Sequence, residues 1–459
     1  MEPKYIVAIE IGSSKIKGAI GLVGKDAPLE IIAVEEHDFI DGVRYGCIQN
    51  VEDVKQCVSS VISALEANVK VAPQKIKGVY VSLGGRSTMS LKRVIEKTFD
   101  EETEITRDII DNLINQAYQE APTDIDVVDI ISLGYTVDNI TPQNPIGTFG
   151  HSLKTTLNYI TCRPQIMKNI NRVIEERLPL DINGFIVRQI ALSNLILTSD
   201  EKKLGCMLVD FGAETTSVSI HKAGALQYMA TIPLGSRNIT RDLTSLSITE
   251  EVAEKVKRNT NANPQETIGT SGKSTLIEGI DDAEVNNYVQ YRSREIIANI
   301  INQIKLSGYK TTDLPNGIII VGGGAKLKGF NSYLESQSGL KVRAGILNGN
   351  IRLLDTSINQ ADAIDVIAVL YAASQNNSIE NCLDGAKEIE IKPKDDDDVS
   401  RLKEGFDKID NDIDDLDDIE DKKPNNDNKT RPAKPSILDK LWVNLEKLLK
   451  EDDDNGYEK

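Results

Sequence analysis

One pattern occurs twice in this chain, and it constrains the fold more than any other feature. Tyr5-Ile6-Val7-Ala8-Ile9 is an apolar run of strand length, and Ile16 to Val23 resumes strand-compatible sequence. Between them Glu10-Ile11-Gly12-Ser13-Ser14-Lys15 turns the chain tightly. Far downstream, Leu208-Val209-Asp210-Phe211-Gly212-Ala213-Glu214-Thr215-Thr216 and the alternating run to Ile220 repeat the plan: apolar strand, carboxylate, any residue, glycine, small polar turn, strand. A glycine in such a turn lets backbone N–H groups converge on an anion, since no Cβ blocks close approach. Ser13 and Ser14 add donors, and Lys15 adds a positive charge.

Either hairpin alone is compatible with a plain structural turn. The pair suggests two related halves facing each other across a nucleotide. A third glycine site supports this: Gly317-Ile318-Ile319-Ile320-Val321 runs into Gly322, Gly323 and Gly324, then a helix start. Adjacent glycines permit close backbone approach to a flat ring or sugar, at an entropic cost.

Composition narrows the alternatives. The chain has 459 residues, enough for two or three domains, and 40% are hydrophobic. No run approaches the roughly 18–20 apolar residues that span a bilayer. Met1-Glu2-Pro3-Lys4 leads into a strand without a signal-peptide core, and five scattered cysteines and three histidines suggest neither a disulfide framework nor a zinc site. A reducing cytoplasmic location is the expectation. A net charge of −18 argues against nucleic acid, which rewards clustered positive charge.

Along the chain, the spacing of Val54, Val58, Val61, Ile62 and Leu65 predicts a core-facing helix. An α+β unit follows, with Thr106 as N-cap and Ile109, Leu113, Ile114 and Ala117 as a buried stripe. In the helix Glu250 to Arg258, Glu254 and Lys257 share one face, as an ordinary ion pair would. Gly269-Thr270-Ser271-Gly272-Lys273-Ser274 ends like a P-loop, but its glycine spacing is too short and no apolar strand feeds it, so it is rejected. From 386 to 435 acidic residues and prolines dominate, which predicts a self-repelling linker without a core. Beyond it, Ile437, Leu438, Leu441, Trp442, Leu445, Leu448 and Leu449 form one apolar stripe of an amphipathic helix over 436–450, bordered by lysines. Trp and Lys at such positions favour a membrane interface over docking on a protein. Half-realised burial of the seven side chains amounts to roughly 5–10 kcal/mol before ordering costs, a reversible anchor.

The three glycine motifs resemble the phosphate 1, phosphate 2 and adenosine motifs of the actin-like ATPase superfamily, and within it the chain most resembles the FtsA cell-division family. Asn144-Pro145-Ile146-Gly147-Thr148-Phe149-Gly150-His151-Ser152-Leu153-Lys154 is similar to a turn in that family's inserted subdomain. The resemblance implies a two-lobed α/β, ribonuclease H-like fold: 1–84 with 163–195 and 360–385 as subdomain 1A, 85–162 as inserted subdomain 1C, 196–244 with 313–359 as 2A, and 245–312 as 2B.

It further implies ATP as ligand, held by Gly12, Ser13, Ser14, Lys15, Asp210, Gly212, Ala213, Glu214, Thr215, Gly322, Gly323 and Gly324. Glu254 and Lys257 would bracket ribose and adenine. Mg2+ would be held through water by Glu10 and Asp210. The superfamily usually has Asp where this chain has Glu10, and no residue stands out as a general base, so the expectation is firm ATP binding with slow or negligible hydrolysis. Implied partners are the FtsZ tail on subdomain 2B, further copies of the chain in a filament, inner-membrane lipids, and other division proteins through 1C. The implied location is the cytoplasmic face of the inner membrane at the division site. A small-molecule kinase of the same superfamily is the alternative, and a non-polymerising pilus-assembly relative a third reading.

Overall fold

Apolar runs assemble the first sheet directly. In the computed structural model, β1 (Lys4–Ile11) and β2 (Lys15–Val23) form the expected antiparallel hairpin, with Glu10 opposite Lys17 and Ile11 opposite Ile16. The structure describes residues 3–384 apart from 26, 39–41, 121–124, 143, 268–275, 278–279 and 377. The acidic linker, the C-terminal amphipathic helix and the P-loop-like stretch 269–274 thus lie outside the described residues. β3 (Leu29–Asp38) pairs antiparallel with β2. Two short strands, β4 (Val43–Arg44) and β5 (Cys47–Ile48), lead to α1 (Val51–Glu66). Asn50 caps this helix, and its stripe Val54, Val58, Val61, Ile62 and Leu65 is buried against β2 and β3. β6 (Gly78–Leu83) then lies parallel to β1.

The inserted unit comes next: β7 (Met89–Glu104), α2 (Arg107–Gln119), β8 (Asp126–Val137) and β9 (Phe149–Cys162), in sheet order β7-β9-β8. The Thr106 hydroxyl accepts from Ile109 N, as its N-cap role requires. The buried stripe of α2 is Ile110, Leu113, Ile114 and Ala117, whereas Ile109 is only half-buried. The expected face was off by one residue, because i, i+3, i+4, i+7 spacing selects 110 rather than 109.

The chain returns through α3 (Pro164–Asn171), β10 (Asp181–Val187) parallel to β6, α4 (Arg188–Ile196) and α5 (Ser199–Leu204). A second sheet follows the first one's plan. β11 (Cys206–Phe211), β12 (Thr216–Lys222) and β13 (Ala225–Ile232) form an antiparallel meander. Then come α6 (Ser236–Leu243), α7 (Glu250–Asn259), α8 (Pro264–Thr267), β14 (Leu276–Ile277), β15 (Ile280–Asp281) and α9 (Asp282–Leu306). β16 (Ile318–Val321), α10 (Phe330–Ser338) and β17 (Val342–Ala344) complete the lobe. The order β13-β12-β11-β16-β17 reproduces β3-β2-β1-β6-β10 in sequence and sense.

β18 (Ile351–Leu353) corrects one expected boundary. It pairs parallel with β3 at the edge of the first sheet, so residues assigned to the second lobe lie with the first. Its three residues offer no periodicity, and only tertiary pairing reveals where they go. α11 (Gln360–Ser374) packs on β1, β2 and α4 with Ala363, Ile364, Val366 and Ile367 buried. The insert's sheet is fastened to β13 of the second lobe. Asn158 Nδ2 donates to Leu226 O at 2.8 Å and Met229 N donates to Ser90 Oγ at 2.7 Å, beside a patch of Ile160, Val187, Leu226 and Met229. Among the described residues, no helix is long and apolar enough to cross a membrane.

Candidate nucleotide cleft

The two hairpins close with the same geometry. Gly12 N donates to Lys15 O at 3.0 Å, and Gly212 N donates to Thr215 O at 2.9 Å. A Cβ on Gly12 would lie 2.8 Å from Lys15 O, too close to fit without a backbone shift, and one on Gly212 would lie 3.0 Å from Thr215 O, a tight contact. Ser14 is exposed at the first turn, while the Ser13 hydroxyl accepts from Gly46 N. In the second turn Ala213 O accepts from Arg237 N at 2.7 Å and Gly212 O from Ser236 N at 3.0 Å, which seats the start of α6 on the hairpin. Thr215 is buried.

Glu10 and Asp210 occupy matching places near the ends of β1 and β11, and both are buried. Arg188 lies between them. Its Nη1 donates to Glu10 Oε1 at 2.5 Å, and its Nη2 lies 2.9 Å from Asp210 Oδ2. The second contact is coulombic, since Oδ2 accepts no aligned hydrogen bond. Burial pushes the Glu10 carboxyl up to about 7, outweighing the pull of Arg188, while Asp210 and Glu10 hold the guanidinium protonated against its own burial.

The arrangement does not fit the hydrated Mg2+ that the resemblance implied. A guanidinium already pairs with the two carboxylates that would hold the ion through water.

Other expected contacts are placed differently. Lys15 pairs with Glu36 at 2.5 Å and Asp38 at 3.1 Å along β3, partly exposed. Lys17, opposite Glu10, is the more buried cation: its Nζ donates to Asp365 Oδ2 at 2.7 Å and to Asp362 O. The Glu214 carboxylate, almost fully buried, accepts from Tyr45 N at 2.7 Å and Arg241 Nη2 at 2.5 Å, with Arg237 4.0 Å away. Arg237 also donates to Ser13 O, and Lys326 pairs with Asp362. Arg188, Glu214, Arg237 and Lys326 thus each join the two lobes.

Glu254 and Lys257 do form a pair, at 2.6 Å, and it ties α7 to α6. Lys257 Nζ reaches Thr240 Oγ1 at 2.9 Å and Ser236 O at 3.3 Å, while Glu254 accepts from Thr240 at 2.7 Å and Arg258 at 3.1 Å. Burial lowers the Lys257 ammonium, against the pull of Glu254.

The three glycines after β16 separate. Gly322, at φ 92°, passes within 2.8 Å of Asp210 Oδ1 by its would-be Cβ, and a Cβ on Gly324 would meet the Phe211 ring at 2.6 Å. Gly323 faces open space. Packing explains the outer two, and of the three only Gly323 is left without a close neighbour on its Cβ side.

Arg188, Lys17 and Arg241 were not singled out in the sequence. For Arg188 a signal existed: a cation in the first turn of a helix opposes the helix dipole and calls for carboxylate partners.

The doubled sheet and the twin glycine hairpins define an actin-like, two-lobed α/β protein. A PilM–PilN type IV pilus biogenesis complex has the same fold at a TM-score of 0.56 and 14% identity, covering 81% of this chain and 99% of that one. Closer kinship comes from sequence. The model of cell division protein FtsA matches residues 207–374, and that of the SHS2 domain inserted in FtsA matches 85–161. Cell division protein FtsA of Porphyromonas gingivalis is 31% identical over 380 residues, 80% of this chain and 78% of the relative. That of Pseudomonas aeruginosa is 26% identical over 407 residues, 85% of this chain and 95% of the relative. The chain belongs to the FtsA family of cell-division proteins.

Proposed function

We propose that this chain is an ATP-binding, actin-like adaptor that polymerises on the cytoplasmic face of the inner membrane and anchors FtsZ at the division site. The observation that carries the reading is the kinship to FtsA over most of the chain, with the inserted unit included. The turn amides at Gly12–Ser14 and Gly212–Thr215 hold the phosphates, and Gly323 lies against the adenosine. Lys15 neutralises phosphate charge, and Glu254 and Lys257 bracket ribose and adenine, each in addition to the ion pair it makes in the structure. Nucleotide acts as an assembly switch, with hydrolysis slow or negligible. The engagement of Asp210 and Glu214 by arginines supports this, since a carboxylate occupied by an arginine is not free to take a proton from water.

The FtsZ tail docks on 245–312, other division proteins use the inserted unit, and the stripe from Ile437 to Leu449 anchors the chain to lipid. A kinase reading would require a catalytic Asp and a substrate-shaped insert, and the insert here matches the FtsA one instead. Sedimentation with anionic liposomes tests the proposal, comparing the intact chain with one ending at Pro435, with and without ATP. Lipid binding by the intact chain alone, with filaments on adding ATP, is the expected result. Both forms remaining in the supernatant while ATP phosphorylates a small acceptor would overturn it.

A further inference from the structure

We propose that Arg188 takes the place of a divalent metal ion in this cleft, so that the chain binds a nucleoside triphosphate without one. The inference rests on the nucleotide reading above and specifies how that site handles charge.

Glu10 comes from the first lobe's hairpin and Asp210 from the second, at equivalent positions of the repeated sheet. One side chain spans both: Arg188 Nη1 reaches Glu10 at 2.5 Å and Nη2 reaches Asp210 at 2.9 Å. A planar fork with two charged prongs matches two carboxylates held at a fixed separation. The guanidinium carries five N–H donors, more than these two contacts consume, and it cannot deprotonate in a protein. It therefore offers phosphate oxygens what a metal would offer: permanent positive charge beside the hairpin turns.

The position of Arg188 is telling. It opens α4, where the helix dipole disfavours a cation, and its side chain is only 15% exposed. A buried cation held against a dipole is sustained by its two carboxylates, and removing it would leave them facing each other without compensation. A magnesium ion entering the same space would meet a like charge and would have to displace a hydrogen-bonded partner. It also demands near-octahedral oxygen coordination, which Glu10, bonded to Arg188, is not free to complete. Lys17, directly opposite Glu10, adds a second buried cation, held by Asp365.

The test is ATP binding by the full-length chain, measured by titration calorimetry in EDTA and again in excess magnesium. For the wild-type chain the Kd should change by less than about threefold between the two, because the charge complement is already present. Arg188→Gln should bind more weakly in EDTA, by about tenfold or more, and recover affinity when magnesium is added. A wild-type Kd that weakens about tenfold or more on chelation would overturn the proposal. So would an Arg188→Gln chain that binds equally well in both conditions. The wild-type comparison needs no variant to fold and decides the matter alone. Absence of ATP binding in either condition would defeat the nucleotide reading itself, and this inference with it.

Discussion

Two neighbouring glycines allow packing and ligand contact to be separated by substitution. Gly324→Ala places a Cβ 2.6, 2.7 and 2.8 Å from three atoms of the Phe211 ring. That ring is fully buried and stacks on Phe330 with centroids 4.4 Å apart, so it has nowhere to retreat. Overpacking of this kind costs about 1–3 kcal/mol. Gly323→Ala meets no atom within 4 Å and needs no left-handed backbone, so reduced unfolded-chain entropy should stabilise it by roughly 0.4–1 kcal/mol. The two variants should therefore differ by roughly 1.5–4 kcal/mol in stability, with Gly324→Ala melting at the lower temperature. ATP affinity should order them the other way, with Gly323→Ala the weaker binder because its methyl occupies the open approach. Equal melting temperatures would refute the packing argument. Undiminished ATP binding by Gly323→Ala would refute the assignment of this turn to the ligand.

Three further expectations are independent of that pair. Lys257→Met should cost roughly 1–3 kcal/mol in urea unfolding, because the buried ammonium joins α6 to α7 through Thr240, Ser236 and Glu254. His221 is buried with its Nε2 3.1 Å from Ser219 Oγ, and burial pushes its pKa down from 6.5 to about 3. Its unfolded state binds the extra proton, so its contribution is complete above the unfolded pKa and declines by about 1.4 kcal/mol per pH unit as pH falls below it toward about 3. Unfolding of wild type and His221→Gln measured from pH 7 to pH 4 should converge accordingly, and parallel curves would count against it. Asn158→Ala leaves the buried Leu226 carbonyl without its donor, which should cost about 1–3 kcal/mol and make the inserted unit easier to cleave by protease.

Much of this architecture was legible in the chain because it is written locally. The hairpins announce themselves through alternation on either side of a glycine, and α1 through a stripe that the structure buries residue for residue. Thr106 was readable as a cap for the same reason. What escaped was set by distant partners. Lys15 and Lys17 lie on one face of β2, and only the register, with Glu10 opposite Lys17, separates a surface cation from a buried one. Arg188 finds its carboxylates on two strands in two lobes, which no spacing within α4 records. Gly322 and Gly324 looked like ligand contacts until Phe211 and Asp210 were seen against them. β18 was too short to show any pattern at all.

The most direct measurement of the central claim is recruitment of FtsZ to lipid. Anionic vesicles would be floated with FtsZ from the same organism, alone, with the intact chain, and with the chain ending at Pro435. The account predicts FtsZ in the floating fraction only when the intact chain is present. FtsZ that stays at the bottom although the intact chain floats would contradict the proposed adaptor role.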